Sequence, residues 1–164
     1  MGGDFWMAKK SIIWAVIVFF ITYALFSIAG FLFPIDREWY DALNKPEWTP
    51  SGGVIGAVWA VLFALISLSA AIIYAKYGFQ KITLPFWILF LLNYVFNQAF
   101  SFFQFTQKDL FAATIDCLLV ALTALALVIV SRKLSNVVPI LLIPYVLWGF
   151  FATYLSYTIY SMNM

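Results

Sequence analysis

Five long apolar segments alternate with short polar stretches along this chain. They cover residues 11–33, 54–75, 84–105, 110–131 and 139–160. Each holds about 22 residues, which at roughly 1.5 Å per helical residue spans the roughly 30 Å hydrocarbon core of a bilayer. The apolar runs are continuous and do not alternate residue by residue, which favours helices over the strands of a barrel. The pattern predicts an all-α integral membrane protein, a single bundle of five transmembrane helices.

Composition supports this class and excludes others. The chain is 65% hydrophobic and 10% charged, with a mean hydropathy of +0.99. Short connections leave room for one domain over residues 1–164, in which the loop 34–53 is the longest connection. The net charge of +2 is spread over the loops without a basic cluster, so nucleic-acid binding has no support. The single cysteine, Cys117, excludes an intrachain disulfide.

The third apolar segment carries a stripe of uncharged polar side chains. Asn93, Asn97, Ser101 and Gln104 are spaced by four, four and three residues, which places them within an arc of roughly 80° at about 100° per residue. Amides in hydrocarbon are costly unless they have partners. This face is therefore expected to contact protein, water or a bound molecule, which indicates a pocket.

Basic residues in the loops predict the orientation of the bundle. If the N-terminus is inside, the inner side carries Lys9, Lys10, Lys76, Lys81, Arg132 and Lys133, and the outer side carries Arg37, Lys45 and Lys108. The positive-inside rule then places the N-terminus in the cytoplasm and the C-terminus outside.

The loop 34–53 is irregular and acidic, and it holds three large aromatic residues, Trp39, Tyr40 and Trp48. Composition alone favours an aromatic belt at the headgroup level joined to a tight connector. The alternative is a lid over a cavity between the helices. Both interpretations remain open at this point.

Four motifs resemble those of the TspO/translocator protein family, also called peripheral benzodiazepine receptors. Residues 39–50, WYDALNKPEWTP, match the family's W-Y-x-x-L-x-K-P-x-W-x-P loop. VWAVLF at 58–63, LNYVFN at 92–97, and PYVLW at 144–148 with FATYL at 151–155 follow in the family's order. The resemblance covers residues from about 39 to 159 and identifies the chain as a bacterial member.

Three positions depart from the family pattern. Phe96 stands where Trp is common, and Asn97 stands where Ser is common, so the third-helix wall is richer in amides. Ser51 replaces a second proline and either loosens the loop or caps the second helix. A sterol motif of the L/V-x-Y-x-K/R type is unsupported, because no Lys or Arg follows Lys133.

The resemblance implies a homodimer in the lipid bilayer of a bacterial cell, with a pocket beneath the first loop. Its ligands would be tetrapyrroles such as protoporphyrin IX and isoquinoline or benzodiazepine compounds. It also implies light- and oxygen-dependent porphyrin breakdown, in which Trp59 and Trp148 would be the reactive residues. A transporter of tetrapyrroles, or a stress sensor without chemistry, is the alternative.

The residues themselves can host such a ligand, since a tetrapyrrole needs broad aromatic walls and a polar rim. The expected ligand-binding side chains are Trp39, Tyr40, Asn93, Phe96, Asn97, Phe100, Ser101, Asp116, Tyr145 and Ala152. Ala152 leaves room one helical turn from Trp148, although small residues also serve helix packing. Asp116 is the one acidic residue well inside a segment, where a structural hydrogen bond and ligand contact are both possible roles.

No cofactor or metal is expected. The chain has no histidine, which removes a Ser-His-Asp triad and histidine-based metal sites. A free-base porphyrin bound without metal ligation fits better than an axially ligated haem. Any chemistry would have to come mainly from the ligand. On the second segment, Gly52, Gly56 and Ala60 repeat every four residues, and either an intramolecular seam or a dimer face would use them.

Overall fold

A computed structural model describes the backbone of residues 2–164, with side chains described from Ile12 onward. Every regular element in this range is helical. The elements are α1 Gly2–Ser27, α2 Ala29–Leu32, α3 Arg37–Ala42, α4 Gly52–Tyr77, a 3₁₀ turn Lys81–Thr83, α5 Leu84–Ser101 continuing as a π-helix Phe102–Gln107, α6 Leu110–Ser131 and α7 Val138–Met162.

Five helical segments are long and apolar enough to cross a membrane. They are Ile12–Leu32, Gly52–Tyr77, Lys81–Gln107, Leu110–Ser131 and Val138–Met162. Many of their large apolar side chains point outward, among them Phe20, Val61 and Leu91, each at least 59% exposed in the isolated chain. An outward apolar surface suits lipid. The predicted five-span membrane bundle is confirmed.

Side chains in the loops fix where the spanning helices begin. The Ser51 hydroxyl accepts a hydrogen bond from the Val54 amide at 3.4 Å, so Ser51 caps α4, one of its two predicted roles. The Asp109 carboxylate accepts a bond from the Ala112 amide at 2.9 Å at the start of α6. At its far end α4 stops at Gly78, whose φ of +59° suits glycine.

The five spans form a ring. α1 packs on α4, α4 on α7, α7 along α6, and α6 on α5. The ring closes where α5 meets α1 and the short α2. The interior of such a ring is filled by side chains at one end and encloses a cavity at the other.

The filled end lies away from the first loop. Its core includes Ile66, Ile73, Phe86, Leu127 and Leu142, all at most 1% exposed. These side chains close the bundle on that side. The end near the first loop is called the lid end below.

α6 and α7 approach each other most closely at a glycine. A Cβ added to Gly149 would lie 3.1 Å from the Cβ and 3.2 Å from the Cα of Ala121. Only glycine fits this contact without moving a backbone. The close approach fixes how α7 presents its neighbouring residue Trp148 to the interior.

Candidate functional site

A cavity of about 790 Å³ opens among the spans at the lid end. Pockets for small molecules commonly have volumes of roughly 300–1,000 Å³. Residues from all five spans line it, and the lid, residues 34–51, supplies Ile35, Arg37, Tyr40 and Asp41. The first loop therefore lies over the cavity, in the position expected of a lid.

One wall of the cavity is nearly bare backbone. Gly52, Gly56 and Ala60 of α4 line it, and a Cβ added at Gly52 or Gly56 would meet nothing within 4 Å. The sequence left open a packing seam or a dimer face for these residues. In the structure their small size widens the cavity.

Aromatic rings form the broader walls. Trp59 of α4 and Trp148 of α7 both line the cavity, each supported by a neighbouring phenylalanine: Trp59 lies 5.5 Å from Phe63 and Trp148 lies 5.0 Å from Phe151 between ring centroids. The Nε1 donor of Trp148 is buried without a hydrogen-bond partner among the described residues. The two indoles predicted as reactive residues thus face one space.

The polar stripe divides into two parts. Asn93 is fully buried and lies outside the cavity lining. Its Nδ2 donates to the Val120 carbonyl at 3.0 Å and to the Thr123 hydroxyl at 2.9 Å. The Tyr145 hydroxyl donates to Asn93 Oδ1 at 2.9 Å and accepts from Asn97 Nδ2 at 3.3 Å. Asn93 and Tyr145 therefore form a structural bridge between helices.

Asn97 belongs to both the bridge and the cavity. It lines the cavity together with Phe100, Ser101 and Gln104. The predicted pocket wall on α5 is therefore placed at the cavity from Asn97 onward, one turn closer to the lid than the sequence suggested.

Gln98 is a residue that the sequence analysis missed. Its Nε2 donates to Asn97 Oδ1 at 3.2 Å and to the Phe26 carbonyl at 3.1 Å, and its Oε1 accepts from the Ala29 amide at 2.9 Å. The first span is interrupted at Ile28, between the Phe26 carbonyl and the Ala29 amide, and divides there into α1 and α2. Gln98 thus supplies partners for backbone groups that the break frees. Its position beside the stripe, at about 100° from Asn97, gave no signal for this role.

A π-helix carries the last polar residues of α5 toward the lid. It runs from Phe102 to Gln107 and ends at Lys108, which has a left-handed conformation with φ of +56°. Gln104 within it is 4% exposed and lines the cavity, and its Oε1 has no hydrogen-bond partner among the described residues. π-Helical turns often occur at functional sites.

Two sets of contacts fasten the lid. At its start, Asp36 accepts a hydrogen bond from the Trp39 amide at 3.0 Å and pairs with Lys108 Nζ at 2.8 Å. The hydrogen bond from Lys108, followed by that from the Trp39 amide, lowers the pKa of Asp36. Lys108 also lies 5.4 Å from the Trp39 ring centroid. Trp39 is thereby held at the lid surface, outside the cavity lining.

Further along, the lid is attached to the end of α7 by two asparagines. The Asn44 amide donates to Asn163 Oδ1 at 3.0 Å, and Asn163 Nδ2 donates back to the Asn44 carbonyl at 2.8 Å. Asn44 Nδ2 adds a weaker bond to the Met162 carbonyl at 3.4 Å. Trp48 stacks on Tyr154 with centroids 5.4 Å apart. We call the reciprocal pair of Asn44 and Asn163 the latch.

The remaining predicted residues fall on both sides of the cavity wall. Tyr40 and Ala152 line it. Phe96 is packed against the hydrophobic core instead. Asp116 is 4% exposed and outside the lining, and its Oδ2 lacks a hydrogen-bond partner among the described residues. The structure therefore supplies no partner for Asp116 on the polar stripe or on the lid.

Few charged side chains line the cavity. Within the part of the chain that the structure describes, no group of three or more His, Cys, Asp or Glu side chains could hold a metal ion. The charged residues of the lining are Arg37 and Asp41, both on the lid. The arrangement is suited to holding a flat apolar molecule with a polar edge toward the lid.

Comparison with known proteins gives one consistent result. The TspO/MBR family matches residues 15–162. The chain is 66% identical over 155 residues to the Tryptophan-rich protein TspO of Bacillus cereus, covering 94% of this chain and 98% of the relative. It is 62% identical over 155 residues to the Uncharacterized membrane protein YtaB of Bacillus subtilis, covering 94% and 99%. The human Translocator protein is 29% identical over 128 residues, covering 77% and 75%.

Proposed function

The chain belongs to the TspO/MBR family, and from this membership we propose that it binds a tetrapyrrole such as protoporphyrin IX in the cavity. We further propose that it promotes breakdown of the bound porphyrin in light and oxygen. The observation that carries the proposal is the convergence of two indoles, Trp59 and Trp148, on one cavity of about 790 Å³.

The lining suits the two parts of a porphyrin. The macrocycle is a flat apolar disc, and the wall of Gly52, Gly56 and Ala60 leaves open space on α4, the helix that also carries Trp59. The propionates at one edge of the disc need a polar rim. Arg37 in the lid supplies a guanidinium there, a group whose geometry matches a carboxylate. We propose that the porphyrin edge points toward the lid.

The reaction would use the chemistry of the ligand. Light excites the porphyrin, and an electron-rich indole against its face donates one electron to the excited ring. Dioxygen then takes that electron from the reduced porphyrin and becomes superoxide, and the oxidised indole recovers an electron from the neutral porphyrin. The resulting porphyrin radical cation combines with superoxide at a ring carbon, so that the net reaction adds one O2 to the macrocycle, whose ring then opens, and the indole is restored. Either indole can act as the electron donor, and the Nε1 of Trp148 is buried without a hydrogen-bond partner among the described residues. No metal ligation of the porphyrin is required.

Loss of porphyrin absorbance under light tests the proposal. Trp59→Phe and Trp148→Phe are compared with the unchanged protein at equal occupancy, and Trp14→Phe serves as the matched control because Trp14 is 53% exposed on the outside of α1. We expect the two cavity variants to retain binding and to slow the breakdown. Equal rates in all four proteins would contradict the role of the indoles, and failure to bind protoporphyrin would contradict the proposal as a whole.

Transport is the second candidate, because the human relative bears the name Translocator protein. The cavity lies at the lid end, and the packed side chains of the other end would have to separate for passage. Flux of protoporphyrin into sealed vesicles, measured with and without light, distinguishes the two. Dark flux would favour transport, and uptake that depends on light would favour breakdown.

The proposal includes a setting for the protein. We place the N-terminus in the cytoplasm of a bacterial cell and the lid outside, as the distribution of basic residues indicates. We also expect a homodimer, as the family resemblance implies. Labelling of Cys residues introduced at exposed positions such as Gln107 and Asn136 tests the orientation, since reagents that do not cross the membrane would reach only the former from outside.

A further inference from the structure

The amide side chains of α5 and its π-helix differ in one respect. Three of them have a protein donor for the side-chain carbonyl oxygen: Asn93 Oδ1 accepts from Tyr145, Asn97 Oδ1 from Gln98, and Gln98 Oε1 from the Ala29 amide. These oxygens are committed to the fold. They are satisfied whether or not the cavity holds a ligand.

Gln104 is the exception among the amides of this segment that are not exposed. It is 4% exposed, it lines the cavity, and its Oε1 is buried without a hydrogen-bond partner among the described residues. An unsatisfied buried polar group is costly, and such groups in native proteins usually have a reason. A bound molecule that places a donor against this oxygen would supply the missing hydrogen bond.

The backbone places this oxygen where it is. The π-helix Phe102–Gln107 changes the register of side chains after Ser101, and the Asp109 amide bonds to the Phe103 carbonyl at 3.0 Å across the end of the turn. The next amide residue, Gln107, is exposed and lies outside the cavity lining. One glutamine of this turn therefore faces the cavity and the other does not.

We propose that Gln104 is a specificity residue whose carbonyl oxygen accepts a hydrogen bond from the ligand. The chemical class selected is a flat aromatic molecule that carries an N–H or O–H donor on its edge. This inference rests on the cavity being the ligand site proposed above, but it does not require the ligand to be a tetrapyrrole. Gln104 acts beside the aromatic walls, which hold such molecules without regard to their polar groups.

Three isosteric probes isolate the proposed bond. Carbazole, fluorene and dibenzofuran share one three-ring shape, but carbazole has an N–H donor at its central position, fluorene has a methylene group, and dibenzofuran has an acceptor oxygen. Calorimetric titration of each into the protein in one detergent gives their relative affinities. The protein is expected to prefer carbazole to fluorene by about 5-fold, the effect of one neutral hydrogen bond.

Substitutions assign the preference to Gln104. In Gln104→Met, which keeps the length and removes the acceptor, the ratio of carbazole to fluorene affinity should fall to the ratio set by detergent partitioning. Gln104→Glu retains an acceptor and should retain the preference. Gln107→Met is the matched control on the same turn and should behave as the unchanged protein. Ratios of affinities within one variant cancel any general loss of active protein.

Each outcome decides the matter. An equal affinity of the unchanged protein for carbazole and fluorene overturns the inference even if no variant folds. An unchanged ratio in Gln104→Met overturns it, as does a selective loss of dibenzofuran, which would mean that the amide donor faces the ligand. Absence of binding by all three probes overturns it by removing the aromatic site. Protoporphyrin binding and breakdown are measured separately, so a failure there leaves the result for Gln104 standing.

Discussion

The latch between the lid and α7 should control how fast ligands enter and leave. Asn163→Ala removes both hydrogen bonds between this side chain and the backbone of Asn44, at 3.0 and 2.8 Å. Both groups are exposed, so each bond contributes about 0.5–1 kcal/mol to closure, at the lower end of the usual range. Their sum of roughly 1–2 kcal/mol corresponds to about a 5- to 30-fold change in the equilibrium between closed and open lid.

The latch acts in the same way on the empty and the occupied protein, since neither asparagine lines the cavity. Asn163→Ala should therefore raise the association and dissociation rates of protoporphyrin IX by the same factor, within the 5- to 30-fold range, and leave the Kd within about 2-fold. Stopped-flow quenching of tryptophan fluorescence measures both rates. Exchange of the Asn44 amide hydrogen should accelerate even without ligand.

Two variants serve as controls for this prediction. Asn44→Ala loses only the 3.4 Å bond to the Met162 carbonyl, because the stronger bonds use the Asn44 backbone, so its effect should be smaller. Asn136→Ala changes an exposed asparagine at the opposite end and should change nothing. Unchanged rates, a change in only one of the two rates with a matching shift in Kd, or an equal effect of Asn44→Ala and Asn163→Ala would refute the reasoning.

Three further changes have effects that follow from the contacts described above. Gly149→Ala should destabilise the bundle by about 1–3 kcal/mol in denaturant unfolding, because its Cβ would lie 3.1–3.2 Å from Ala121. Tyr145→Phe should cost about 1–3 kcal/mol in the same assay, because two buried amides lose a partner. The pKa of Asp36 is lowered in the folded protein, so its pairing with Lys108 stabilises the closed lid above the ordinary carboxyl pKa of about 4. This stabilisation is lost as the pH falls through the lower pKa of the folded state. Release of protoporphyrin should accelerate at that acidic end, and in Asp36→Asn release should be fast and independent of this titration.

Matched controls accompany these changes. Gly30→Ala adds a Cβ that meets nothing within 4 Å, and Tyr157→Phe alters an exposed hydroxyl-bearing ring at 57% exposure, so both should leave stability unchanged. Full stability in Gly149→Ala would mean that α6 and α7 can separate freely. A pH profile of release that is the same in Asp36→Asn and the unchanged protein would remove the ion pair from lid closure.

The hydrophobic pattern alone predicted the five spans, but it did not predict the change from α-helix to π-helix within the third span. The fourth segment was predicted as residues 110–131, and α6 has those bounds, because Asp109 and the apolar run are both local signals. The π-helix of α5 was not predicted, since a change from α to π register depends on tertiary demands that one segment does not display. The second segment was short by two residues at each end.

The candidate site shows the same division. The stripe of polar residues and the two indoles were visible because helical periodicity and the motif matches point to them. Gln98 was not, since its partners are backbone groups that become free only where another helix breaks at Ile28. Asn93 and Asn97 were both predicted to bind the ligand, with Asn97 the main contact, and only Asn97 lines the cavity. The difference depends on Tyr145 and Thr123, which come from other helices.

The backbone wall at Gly52 and Gly56 makes this protein a convenient starting point for engineered receptors. A Cβ placed at either position meets no atom within 4 Å, so side chains introduced there alter the dimensions of the binding site from a backbone that has room for them. Gly56→Leu should exclude large ligands while tolerating smaller analogues of matching shape. A ligand analogue that lacks the group facing residue 56 should still bind Gly56→Leu. The variant and the analogue would then form a specific pair, because the full-sized ligand is excluded from the variant.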